Sequence, residues 1–169
     1  MSKQFISNIV VAINGSHSSI LAAMYAIMMA KNYGCTVHFI YVVDVATIDF
    51  LKKCNFLISD ERNSYQEELT QNGKNYLSYV EGLAKSKLVL CKTQLRQGSV
   101  PFEIISCANE IEADLIILGG HESKDKYVQK DNVRKSILSN SRTEIITYAH
   151  CPVLVIHDKN IEAQFKVLK

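Results

Sequence analysis

The sequence predicts one α/β domain: a doubly wound, five-stranded parallel sheet with helices on both faces. Three observations predict it. Short β-branched runs alternate with longer segments of helical period. Several of those runs are apolar without alternation, as strands buried on both faces are. Each of the helical segments between them is bounded by capping or turn residues. Parallel neighbours need crossover connections, which the intervening helices supply in right-handed form.

Residues 9–13 (IVVAI) are the first strand, broken by Asn14-Gly15-Ser16. Ser16 or Ser18 then caps a helix that runs through Tyr33 and stops at Gly34. Ile20, Met24, Ile27 and Met28 recur along it at helical spacing, and Ala22, Ala23, Ala26 and Ala30 make it smooth nearly all round, as a buried packing helix is. Residues 36–43 (TVHFIYVV) are the second strand, ending at Asp44. Residues 45–60 are too apolar for a free loop and too irregular for a helix assignment. Ser64-Tyr65-Gln66-Glu67 is a capping box that opens a helix to about Lys85, with Leu69, Tyr76, Val80, Leu83 and Ala84 on one stripe.

Residues 88–95 (LVLCKTQL) are the third strand, closed by Gly98. Pro101 stands as the first residue of the next helix, whose buried face is Ile104, Ile105, Ala108 and Ile111. Residues 115–118 (LIIL) form a fourth, doubly buried strand that ends at Gly119-Gly120. Residues 121–136 are polar and charge-mixed and take no assigned conformation. Ser141-Arg142-Thr143-Glu144 is a second capping box, and residues 153–156 (VLVI) after Pro152 are the fifth strand. Residues 1–158 make the domain and residues 159–169 a C-terminal tail.

Composition removes several function classes. Lys+Arg exceeds Asp+Glu by 19 − 17 = 2, which gives no field for nucleic acid or an anionic membrane. The 5 cysteines are odd in number, irregularly spaced and without a C-x-x-C pair, against a disulfide framework or zinc ribbon and for a reducing compartment. The N-terminus has no signal-peptide core and the longest apolar stretch is too short to span a bilayer. A cytoplasmic protein is expected.

Ligands of such sheets bind at the carboxyl ends of the strands, here Ile13–Ser16, Val43-Asp44, Gly98 and Gly119-Gly120-His121. A Walker A loop, a G-x-G-x-x-G turn and a nucleophile elbow are all missing. Ser16, His17 and Asp44 read as a cap and surface residues rather than a triad. His38 reads as a packed or edge histidine. His121 alone among the histidines follows a strand's carboxyl end closely enough for a ligand role. His150, Cys151 and His157 match no zinc spacing, so no metal is expected. Lys124, Lys126, Lys130, Arg134, Lys135 and Arg142 lie near the start of the last predicted helix, where backbone N–H groups attract anions, although Glu122, Asp125 and Asp131 interleave with them.

The stretches IVVAINGSHSS, VHFIYVVD, ADLIILG (113–119) and CPVLVI (151–156) resemble the universal stress protein family. The resemblance implies strand order 3-2-1-4-5, cytoplasmic dimers linked to stress survival, and ATP binding in a subset. The ATP-binding members carry G-x2-G-x9-G-[S/T] after the fourth strand. Here Gly119 matches the first glycine, while Glu122 stands at the second and Ser139-Asn140 at the Gly-Ser pair, after a spacer longer by seven residues. Asn14 stands where the family has aspartate, and Val42 at the position whose backbone meets adenine.

A carboxylate at Glu122 repels phosphate where glycine would let it approach, whereas Ser139, Asn140 and Ser141 still offer polar groups at a helix start. The candidate nucleotide site is therefore Ile13, Asn14, Val42, Gly119, His121, Glu122, Ser139, Asn140 and Ser141. Its motif is degenerate, and the possible ligand is ATP or AMP. The expected function is a non-catalytic stress-response or regulatory protein, with a nucleotide-binding switch of slow or no hydrolysis as the alternative. The last strand, Val153, Leu154, Val155 and Ile156, is apolar on both faces and lies at the sheet edge in this order. It is expected to pair with a second copy unless the tail (Ile161, Phe165, Leu168) folds over it.

Overall fold

The computed structural model describes residues 5–54, 59–120, 140–157 and 160–168. Five parallel strands, β1 (Asn8–Ile13), β2 (Thr36–Asp44), β3 (Cys91–Gly98), β4 (Leu115–Gly119) and β5 (Val153–Ile156), form one sheet in the order β3-β2-β1-β4-β5. Helices α1 (His17–Tyr33) and α3 (Ser59–Ser86) connect β1 to β2 and β2 to β3. Both cover one face, because right-handed crossovers that step in one direction land on one side. The chain then steps back past β1, so α4 (Val100–Glu110) and α5 (Asn140–Tyr148) cover the other.

The sheet therefore separates two cores. Ile9, Val11, Ile13, Phe39, Tyr41 and Val43 pack under α1 and α3, while Val10, Ile40, Ile116 and Leu118 pack under α4 and α5. The alternation within β1 and β2 places successive side chains in opposite cores, and both are apolar, as the unbroken runs predicted. α1 starts at its Ser16 cap and ends at Gly34, whose φ of +70° is the left-handed stop expected there.

Several boundaries differ from expectation, each for a local reason. The unassigned segment after β2 opens as α2 (Val45–Lys53), capped by Asp44, whose two carboxylate oxygens accept from Thr47 N (2.9 Å) and Thr47 Oγ1 (2.6 Å). α3 is already helical at Ser59, so Ser64 lies within the helix and caps nothing; no glycine or proline interrupts residues 59–72. β3 begins at Cys91 and not at Leu88, because residues 87–89 close α3. Leu88 N donates to Lys85 O (3.0 Å), Val89 N to Ala84 O (3.0 Å), and Leu88 holds φ +56°. Pro101 is the second residue of α4 rather than the first, and both positions lack an intrahelical acceptor. α5 is under way by Asn140, so Ser141 is inside it and is not its cap.

The last segment is helical as α6 (Ile161–Val167) and packs into the α1-side core through buried Ile161 and Phe165. It packs against α1. The two edges differ in character. β3 carries Lys92, Thr93, Arg96 and Gln97, with Arg96 bound by Glu110 and Glu103 of α4; β5 carries only Val-Leu-Val-Ile. Among the described residues no helix is long and apolar enough to cross a membrane.

Candidate functional site

The order of strands reverses between β1 and β4, and their crossovers leave on opposite faces, which opens a crevice at their carboxyl ends. Ile13 contributes only backbone there, since its side chain is buried beneath α1. Asn14 is exposed and shapes the turn: its Oδ1 accepts from Ser16 N (3.0 Å) and Ser16 Oγ (2.7 Å). Ser16 Oγ also accepts from Ser19 N (3.2 Å), and Ser19 Oγ donates to Ser16 O (2.8 Å). An asparagine amide oxygen thus does the turn-forming work open to a carboxylate, without the charge.

Gly119, at the end of β4, lies against the first turn of α1. A Cβ on it would stand 2.6 Å from the Ser18 carbonyl carbon and 2.7 Å from Ser19 N, both main-chain atoms that cannot swing aside. Gly120 N donates to Ile156 O (2.7 Å), and His157, just after β5, packs against Gly120. From α5, Arg142 Nη2 donates to Gly120 O (3.4 Å). The crevice therefore gathers the amino end of α1, the end of β4, and two basic side chains.

β2 overruns β1. The β1–β2 ladder ends at Ile13↔Tyr41, while the β2–β3 ladder continues to Asp44↔Gly98. Val42 and the two residues after it consequently have β3 on one side and no partner from β1 on the other. On the α3 side, Tyr76 leans over the β1–α1 turn: a Cβ on Gly15 would lie 2.7 Å from its Cζ. Tyr76 stacks on Tyr41 with ring centroids 6.4 Å apart. Burial, followed by the neighbouring Tyr76 and Tyr65 hydroxyls, pushes the Tyr41 phenol above its ordinary pKa.

The structure brings Ile13, Asn14, Val42 and Gly119 to neighbouring strand ends. Asn140 opens α5 and Ser141 is half-buried in its first turn. His121, Glu122 and Ser139 lie outside the described residues. The sequence reading names Gly120 only as a strand end and Arg142 only among nearby cations, gives Tyr76 no part in the site, and assigns a strand-end position to His121 alone among the histidines, whereas His157 directly follows β5. The Gly-Gly doublet after an apolar run was a usable signal for Gly120. Tyr76 carried none, because its spacing is that of any core stripe. Among the described residues no cluster of potential metal ligands occurs.

A model described as the universal stress protein family matches residues 6–157. A universal stress protein of Methanocaldococcus jannaschii is 31% identical over 151 residues, covering 88% of this chain and 80% of its own. Among solved structures, a protein of the same family from Burkholderia pseudomallei superposes with a TM-score of 0.68 at 20% identity, over 91% of this chain and 98% of its own. The universal stress protein of Archaeoglobus fulgidus, solved in complex with dAMP, superposes with a TM-score of 0.56 at 16% identity, over 92% of this chain and all of its own.

Proposed function

The chain belongs to the universal stress protein family, and from that premise we propose that it is a non-catalytic regulatory protein of the cytoplasm that works as a homodimer and holds an adenine nucleotide weakly. The observation that carries the nucleotide reading is the overrun of β2 past β1 beside the Gly119–Ser18 contact. Together they leave strand backbone at Val42 for a base and helix-start backbone at α1 for phosphate. A relative of the same fold has been solved with dAMP. Arg142, which has no carboxylate partner among the described residues, is suited to meet the phosphates.

Weak binding follows from charge: Glu122 replaces a glycine of the motif, and like charge near phosphate costs affinity. The reading without turnover is supported by the acids described at these strand ends. Asn14 is neutral, and Asp44 spends both oxygens on Thr47. Homodimerisation rests on the β5 edge, whose half-buried Val153, Leu154 and Val155 lack any protective charge.

Calorimetry of the full chain with Mg-ATP and with AMP tests the nucleotide reading. Saturable binding with a dissociation constant above about 1 μM is expected. Tighter binding contradicts the weakness assigned to Glu122, and no heat at millimolar nucleotide contradicts the site.

A further inference from the structure

We infer that Tyr76 is a nucleoside-contacting residue, presenting its hydroxyl and ring edge to the base-and-ribose end of an adenine nucleotide at the β1–α1 turn. The inference rests on the nucleotide reading above and adds a residue from α3, an element to which that reading gives no part.

Position is the first argument. The Tyr76 hydroxyl would stand 3.0 Å from a Cβ on Gly15, and its ring carbons nearer still, so the phenol tip lies on the turn itself. Gly15 has φ +82°, a backbone state that other residues resist, and a side chain there would strike this ring. Two demands thus meet at one glycine: the shape of the turn and room for Tyr76.

Rigidity is the second. Tyr76 stacks on Tyr41 with an interplanar angle of 15°. Tyr41 is itself clamped by α3, since a Cβ on Gly73 would fall 2.5 Å from Tyr41 Cδ1 and 2.6 Å from Leu95 Cδ1. The helix approaches closely enough to fix both rings before any ligand arrives, so little freedom is lost on binding.

Unused chemistry is the third. Neither phenol makes a hydrogen bond to a described residue, and neither hydroxyl is sealed from solvent, since among the described residues His38 Nδ1 alone is a buried side-chain nitrogen or oxygen without a partner. Tyr76 is half-buried, so its hydroxyl is open to exchange water for a ligand group, and a phenylalanine would pack as well where the hydroxyl had no use. Ribose hydroxyls and purine ring nitrogens are the complementary groups, and an aromatic edge suits the sugar and base better than phosphate.

The test is calorimetry on the full chain carrying Tyr76→Phe or Tyr76→Leu, with Mg-ATP, AMP and inorganic tripolyphosphate. Loss of one hydrogen bond should weaken AMP and ATP by about three- to tenfold in Tyr76→Phe. Tyr76→Leu should weaken them further, while affinity for tripolyphosphate and the melting temperature of the Phe variant stay as in the wild type. Wild-type affinity for AMP in both variants overturns the inference and leaves the nucleotide reading standing. An equal loss of tripolyphosphate affinity also overturns it, since the effect would then be structural. A wild-type protein that binds no adenine nucleotide overturns the nucleotide reading, and this inference with it.

Discussion

Gly119 and Ser18 touch backbone to backbone: the Cβ that Gly119 lacks would lie 2.6 Å from the Ser18 carbonyl carbon. This contact brings the end of β4 and the first turn of α1 together at the point where the strand order reverses. The main chain therefore sets the distance between these two walls of the crevice.

Gly119→Ala should be destabilising by about 2 kcal/mol, in the range of overpacking within a well-packed core. The obstructing atoms are main chain, so the strain is relieved only by moving α1 off the sheet. Urea unfolding measures the loss. Nucleotide affinity should fall in the same variant, because the amino end of α1 is displaced.

Leu88→Gly should stabilise the protein by about 1 kcal/mol. Leu88 is the left-handed residue that ends α3, at φ +56°, a conformation costly for a branched L-residue and free for glycine. Its side chain is 86% exposed, so nearly no packing is lost. A higher urea midpoint with unchanged slope is the expected result.

His38 should make stability pH-dependent. It is buried, its Nε2 donates to Asn8 Oδ1 (3.2 Å), and its buried Nδ1 has no partner among the described residues. Burial, then the charge of Lys92, holds its pKa below the ordinary histidine value. The unfolded chain therefore takes up a proton first, so stability falls as pH drops through about 6.5 and continues falling until the folded value is passed. In His38→Gln the decline between about pH 7 and 5 should be shallower; chemical denaturation across that range checks it.

Val155→Lys should break the proposed dimer. It puts a charge into the edge strand at a position that is half-buried within one protomer. Light scattering should give a dimer for the full chain and a monomer for the variant. Removal of residues 159–169 should not by itself dissociate the dimer, since α6 packs against α1 on one face of the sheet and the proposed pairing runs through the β5 edge.

Strand identity was legible because apolar runs such as 9–13 and 115–118 have one physical reading, and the right-handed crossover rule limits what order they can take. Helix limits were less so. Leu88 ends α3 where glycine is the usual sign, and an exposed leucine beside Val89 and Leu90 reads as strand. The site was half legible. Asn14 and Gly119 follow from being at strand ends and Val42 from the family resemblance alone, whereas Tyr76 meets Gly15 only through the way α3 packs on the sheet, which no local pattern encodes. Arg142 reaches Gly120 across 22 positions for the same reason.

The most direct test of the nucleotide site is a titration of the uniformly 15N-labelled full chain with Mg-ATP, followed by amide chemical shifts. Saturable shifts concentrated at Gly15, Ser16, Val43, Gly119 and Gly120, around the crevice between β1 and β4, are expected. No shifts at millimolar ATP, or shifts confined to the polar groove of Gln66, Thr70, Lys74 and Gln97 between α3 and the end of β3, would contradict it.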